Sequence, residues 1–153
     1  MAFANTACES AVGIAMPIFM FIAMSPPPAM GLVVLSVFAE NAEPKASKAH
    51  MGMFVVTYHN DVVTAAIGAH TLPLPDGAII VKENKMKADE PVHALTIMSK
   101  QGGKWYWLET SPDGSHVITM NDMPQEGYNA QMCAKCHDDA SYNDFVFTHS
   151  FAK

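Results

Sequence analysis

The sequence predicts an α+β fold, made mainly of an antiparallel β-sheet in meander order with short helices. Short runs of β-branched and aromatic residues recur between residues 53 and 120, and turn signals separate them. The runs MFVVTYH and AIIVKE do not follow the 3.6-residue period of an amphipathic helix. Strands are therefore favoured over a four-helix bundle.

The first predicted elements are a strand over residues 53–59 and a helix directly after it. Asn60 or Asp61 can cap this helix through a side-chain oxygen, and apolar residues near helical spacing continue it to residue 69. Two prolines and an Asp-Gly pair over residues 70–77 then predict a loop.

Further strands are expected to complete the meander. They are predicted over residues 78–83, 92–100, 104–110 and 116–120. The sequences QGG and SPDG between the later strands are hairpin and turn signals, so these strands should pair antiparallel. A polar loop is predicted over residues 121–131, and an apolar, extended tail over residues 143–148.

Length and charge limit what the chain can do. At 153 residues it is expected to hold one domain, over residues 51–153. The formal net charge is −6, and all nine basic residues are lysines. Because the sequence offers no basic patch to neutralise a phosphate backbone, no nucleic-acid partner is expected.

Residues 1–39 are predicted to be a secretory leader, and residues 40–50 a flexible arm. Val37 and Ala39 supply small residues at the positions that signal peptidase reads, which favours export to the periplasm. A triple proline divides the leader into apolar runs shorter than the ~20 residues of a spanning helix, which disfavours a membrane anchor. A basic n-region is missing, since the first lysine is Lys45. An uncleaved leader or a misassigned start therefore stay open as alternatives.

The most informative motif is Cys133-Ala134-Lys135-Cys136-His137 near the C-terminus. Two cysteines three positions apart, followed directly by histidine, are the attachment signature of c-type haem. Thiols one helical turn apart can bond to the two vinyl groups of one porphyrin, and the adjacent histidine can then reach the iron. The sequence therefore predicts a covalent haem c in a C-terminal attachment segment, with a short helix running to residue 140.

Other interpretations of the motif are weaker. A structural zinc site needs four ligands, and the remaining cysteine, Cys8, lies in the leader. A thioredoxin-like pair would require a βαβ context, which the strand pattern does not offer. A plain disulfide leaves the adjoining histidine unexplained. Cys133 and Cys136 are therefore predicted as the haem anchors, and His137 as the metal ligand.

Several segments in the same order resemble the cytochrome P-460 and cytochrome c′-beta family. They are YHND at 58–61, PDGAIIVKE at 75–83, WYW at 105–107, SPDG at 111–114, CAKCH at 133–137 and NDFVFT at 143–148. The resemblance implies a homodimer, a mainly antiparallel β fold and a five-coordinate haem. It also implies chemistry on small nitrogen species such as nitric oxide or hydroxylamine.

Lys82 is the leading candidate for a catalytic residue. It stands in an otherwise apolar strand and shares a face with Ala78 and Ile80 on a period of two. The resemblance implies that Lys82 matches the lysine that cytochrome P-460 bonds to its porphyrin edge. Burial would favour the neutral, nucleophilic amine that such a bond needs. A solvated lysine at a strand end is the alternative.

The far side of the haem decides between ligand binding and electron transfer. Cytochrome c′-beta proteins cap the iron with phenylalanine, so Phe54 is a candidate cofactor contact, with an ordinary core position as its alternative. Met98 and Met120 could approach the iron, but core filling is the usual role of methionine. The histidines at positions 59, 70, 93, 116 and 149 stand in no spacing that marks an axial ligand.

Two functional hypotheses follow, with a third behind them. The first is an oxidoreductase that oxidises hydroxylamine and hands the electrons to a redox-partner cytochrome. The second is a protein that binds or carries nitric oxide without turnover. The third is electron transfer through a six-coordinate haem. The sequence alone does not decide whether the chain is an enzyme.

Overall fold

An antiparallel sheet is the centre of the molecule. The structure is a computed structural model, and it describes residues 38–39, 43–48 and 50–147. The predictions for residues 1–37 and for His149 lie outside the described residues. Within the described residues the fold is α+β and mainly antiparallel, as the sequence predicts.

Seven of the described strands pair into one sheet, and two more form a small hairpin beside it. The strands are β1 (Phe38–Ala39), β2 (Lys45–Ala46), β3 (Phe54–His59), β4 (Ile79–Lys85), β5 (Ala94–Gln101), β6 (Lys104–Thr110), β7 (Thr119–Met120), β8 (Met123–Pro124) and β9 (Glu126–Gly127). Strands β3 to β6 pair in chain order, which confirms the meander. One edge is closed by β9, and β1 and β2 both pair with β3 at the other edge.

Three segments differ from the sequence prediction. Only β7 is a strand within residues 116–120, and it pairs with β8 instead of returning to β6, apart from one bridge between Thr110 and Val117. The predicted polar loop contributes β9, whose Gly127 at φ 110° allows the chain to pair beside Trp107. In the expected arm over residues 40–50, β2 already pairs with β3.

The first helix, α1 (Asp61–Ala69), forms as the sequence predicts and is fixed to the sheet by its cap. Asn60 Oδ1 accepts the backbone N–H of Val63 at 3.3 Å and that of Ile79 at 3.2 Å, while Nδ2 donates to the carbonyl of Gly77 at 2.8 Å. One side chain therefore joins the start of α1 to the start of β4.

The second helix, α2 (Gln131–His137), continues into a 3₁₀ turn over Asp138–Asn143. The prediction of an extended tail from residue 143 is wrong for its first residues, because Asp144 and Phe145 both adopt left-handed backbone, at φ 51° and 65°. Buried Val146 anchors the segment that follows. Among the described residues, no helix is long and apolar enough to cross a membrane.

Alternation along the strands gives the sheet two apolar faces. One face carries Ile80, Met98 and Trp107, and both helices pack against it through residues such as Val63 and half-buried Cys133. The other face carries a second cluster, made of Val56, Tyr58, Val81, Leu95, Ile97 and Leu108. The candidate site lies on the helix face.

Candidate haem-attachment site

Helix α2 brings the two cysteines and the histidine of the motif to the helix face of the sheet. Cys133 is half-buried, Cys136 is exposed, and both are free thiols. Burial, together with the nearby carboxylate of Glu109, raises the pKa of Cys133 to about 11. His137, the last residue of α2, is 7% exposed.

His137 is held in one orientation by its neighbours. Its Nδ1 lies 2.5 Å from the carbonyl oxygen of Phe145, and its ring contacts Trp107 at 4.6 Å and Phe147 at 5.0 Å between centroids. A carbonyl only accepts hydrogen bonds, so Nδ1 carries the proton and Nε2 is the unprotonated nitrogen of the neutral ring. Burial lowers the pKa of His137, which favours that neutral form. The arrangement fits a metal-ligating imidazole, whose second nitrogen is usually bonded to a carbonyl or carboxylate.

A cavity of about 260 Å³ lies between α2 and the sheet. The residues around it come from four strands, from α2 and from the chain just before β3. They are His50, Met51, Met53, Ile80, Lys82, Thr96, Ile97, Met98, Leu108, Glu109, Met120, Met132, Cys133, Cys136 and His137. The wall is largely apolar, with a few polar groups, as is typical of a small-molecule site.

Lys82 is buried and lines this cavity together with the motif. It is 6% exposed and pairs across the sheet with Thr57 and Thr96, which places it on the same face as Ile80. The solvated alternative therefore does not describe Lys82 in the structure. Lys82 and His137 line the same cavity.

Phe54 is not brought to the cavity. It lies opposite Ala46 and Lys85 in the sheet, and it alternates with Val55 so that it shares a face with Val56. That face is the opposite one from Lys82. A distal cap by Phe54 would require this strand to turn over, and half-buried Phe54 belongs to neither of the two apolar clusters described above.

Sequence reasoning missed two polar groups of the cavity, His50 and Glu109. Glu109 follows Trp105 and Trp107 on a period of two, so its place on the helix face could have been found from the pattern of β6. Burial raises its pKa. His50 lies in the expected arm, and the sequence carries no such signal for it. Its position at the cavity depends on the turn between β2 and β3. Burial, with smaller contributions from Lys82 and His137, lowers the pKa of His50 to about 4.

Of the remaining candidates, the two methionines line the cavity and the described histidines lie elsewhere. Met98 and Met120 both line the cavity. His59 is buried in β3 and lies 3.1 Å from the hydroxyl of Thr64, away from the cavity. The histidines at positions 70, 93 and 116 are exposed.

The residues present fit a covalently held haem, with one condition. The two free thiols, the oriented His137 and the apolar wall are the features that such a group requires. The cavity volume lies just below the ~300–1,000 Å³ of typical ligand sites, so a porphyrin would have to displace part of the wall. Flexible methionines such as exposed Met51 form that part.

Comparisons with known proteins add no family assignment. No family model matches the chain, and neither the curated proteins nor the solved structures gave a match. Within the described part of the chain, no three His, Cys, Asp or Glu side chains are grouped as ligands of a single metal ion.

Proposed function

We propose that this chain is an exported c-type cytochrome whose haem binds or oxidises small nitrogen species. Cys133 and Cys136 would hold the haem, and His137 would ligate its iron. The observation that carries the proposal is the position of these three residues against one apolar cavity, with the Nδ1 proton of His137 bonded to the Phe145 carbonyl. The resemblance to the cytochrome P-460 and cytochrome c′-beta family supports the choice of nitrogen ligands.

The side chains of the cavity suit chemistry at one open coordination position. When bound, the haem supplies an iron that takes up electrons and binds small nitrogen ligands. Lys82 is placed to approach the porphyrin edge, as the resemblance implies for a cross-linked lysine. Glu109, whose pKa is raised by burial, is placed to accept a proton that a substrate loses. The apolar wall limits the access of water.

Hydroxylamine oxidation is the enzymatic form of this proposal, and nitric oxide binding without turnover is the non-catalytic form. Oxidation releases electrons, so it requires a redox-partner cytochrome, whereas binding does not. A homodimer and a periplasmic location belong to the same proposal, through the family resemblance and the leader-like residues 1–39.

Electron transfer is a second candidate because strong sixth ligands line the cavity. His50 lies in the same wall as His137, and five methionines accompany it. If one of these side chains ligates the iron, the haem is six-coordinate and passes electrons without binding substrate. The spin state of the iron separates the two candidates.

The test is the optical spectrum of the purified, matured protein. We expect a haem that stays with the polypeptide after denaturation and a high-spin ferrous spectrum that changes when nitric oxide is added. Replacement of both anchors, Cys133→Ala with Cys136→Ala, should release the haem on denaturation. A matured chain without a tetrapyrrole would contradict the proposal, and a low-spin, six-coordinate spectrum would favour electron transfer.

A further inference from the structure

A buried ion pair stands beside the segment that holds His137. Lys100 Nζ lies 2.6 and 2.7 Å from the two carboxylate oxygens of Asp144, and the two side chains are 4% and 8% exposed. Removal of two charges from water costs several kcal/mol per ion before their attraction is counted. Stability alone is therefore a weak explanation for the pair.

Asp144 is fixed from three directions. Besides the ion pair, its Oδ2 accepts the backbone N–H of Leu74 at 2.8 Å, and its carbonyl accepts the indole N–H of Trp105 at 2.9 Å. The Lys100 ammonium also lies 5.0 Å from the centroid of the Trp105 ring. These contacts hold Asp144 in left-handed backbone, a conformation that costs free energy outside glycine.

The next residue, Phe145, is also in left-handed backbone, and its carbonyl is the acceptor for His137 Nδ1. Two consecutive left-handed residues turn the chain back toward α2, and the N–H of Phe145 closes the turn on Ala140 at 2.8 Å. The direction of the Phe145 carbonyl therefore depends on the backbone of Asp144. The ion pair acts on His137 through this carbonyl.

We propose that Lys100 and Asp144 are positioning residues that select the tautomer of His137. By fixing the Phe145 carbonyl, they keep the proton on Nδ1 and the free electron pair on Nε2. The consequence for an iron rests on the proposed function: a strong hydrogen bond at Nδ1 makes the imidazole a more basic ligand and favours ferric over ferrous iron. The tautomer itself does not depend on a bound haem.

The variant that tests this role removes both charges together. A single neutral substitution would leave an uncompensated buried charge, which typically costs 3–5 kcal/mol and endangers folding. Lys100→Met combined with Asp144→Asn avoids that charge while removing the ion pair that holds the backbone at residue 144. The control is Lys87→Met with Glu90→Gln, which removes an exposed ion pair of 2.8 Å from the turn after β4.

The first measurement is the ¹⁵N spectrum of the His137 ring in the full chain. We expect the wild-type protein and the control to show one tautomer, with the proton on Nδ1. The double variant should lose that single-tautomer pattern and show exchange between the two forms. A wild-type ring protonated on Nε2 would overturn the proposal without any variant, and so would an unchanged pattern in the folded double variant.

The second measurement uses the haem-loaded protein. The double variant should have a higher midpoint potential and a lower iron–histidine stretching frequency than the wild type, while the control should match the wild type. A purely structural role would lower the melting temperature and leave both values unchanged, which would overturn the proposal. If no haem is attached, the proposed function fails, and the ring spectrum still decides the role of the ion pair.

Discussion

Lys82 is the residue whose placement bears most directly on chemistry. Its strand is apolar before it and polar after it, and its side chain is buried in the cavity wall that also holds Cys133 and Cys136. In the proposed cytochrome, this position would bring the Lys82 amine to the porphyrin edge, where the covalent bond would form.

Lys82→Ala should therefore change the spectrum of the loaded protein without removing the haem. We expect a red-shifted ferrous Soret band in the wild type and its loss in the variant, because the cross-link perturbs the macrocycle. Tryptic mapping should find a haem adduct on the peptide that contains Lys82. The control is Lys85→Ala, on the same strand but on the opposite face. Identical spectra for Lys82→Ala and the wild type would rule out the bond.

At the scale of elements, the junction between α1 and β4 places Lys82. The Asn60 side chain caps α1 and bonds both the Gly77 carbonyl and the Ile79 N–H, so β4 begins at a fixed point. Lys82 follows Ile79 by three residues in that strand. An error at the junction would therefore displace the cavity wall.

Asn60→Ala should lower the free energy of unfolding by about 2–4 kcal/mol, because it removes a helix cap and two further hydrogen bonds, to the Gly77 carbonyl and the Ile79 N–H. Chemical denaturation measures the change. Asn60→Ser can still cap α1 but is too short to keep the strand bonds, so its stability should lie between those of the alanine variant and the wild type. Equal stability of Asn60→Ser and the wild type would show that the strand bonds contribute nothing.

Strands β3 to β6 and α1 could be predicted because their signals are local. Alternation, β-branched residues and an asparagine cap act within a few residues of each other. The left-handed turn at Asp144 could not be predicted, since it depends on Lys100, Leu74 and Trp105 from distant parts of the chain. Strand β9 could not be predicted within the polar loop for a similar reason, because its pairing with β6 decides its conformation.

The candidate site likewise contains residues that could be found from the sequence and residues that could not. The motif at residues 133–137 and Lys82 could be found from sequence because the motif is contiguous and the lysine interrupts an apolar strand. His50 could not be found, because its position over the cavity comes from the turn between β2 and β3. The position of Phe54 could not be predicted, since the sequence does not say which set of alternating side chains faces the helices.

At the scale of the whole molecule, one sheet separates two different environments. The helix face holds the cavity and its polar groups, and the opposite face holds an apolar cluster with Tyr58 at its margin. The hydroxyl of Tyr58 donates to Glu83 at 3.1 Å. Burial, followed by the charge and the hydrogen bond of Glu83, raises the pKa of Tyr58 to about 12.

This pKa predicts how the stability of the fold depends on alkaline pH. Tyrosine has a pKa near 10 in the unfolded chain, so the folded state holds this proton more tightly. The stabilisation is complete below pH 10 and is lost as the pH rises toward 12. Tyr58→Phe should flatten this part of the unfolding profile, and Glu83→Gln should move the phenol titration, read at 295 nm, to lower pH. A Tyr58 titration at an ordinary pH would contradict the prediction.

The alternation along β4 also protects the chain against misfolding. A slip of β4 by a single residue would turn the amine of Lys82 toward the apolar cluster on the opposite face and Val81 toward the cavity. An amine without water or a counter-charge there would make the slipped pairing costly. The Lys82 side chain, to which we assign a chemical role, thus also favours the native register of β4. Its removal should therefore make slipped registers more accessible during folding.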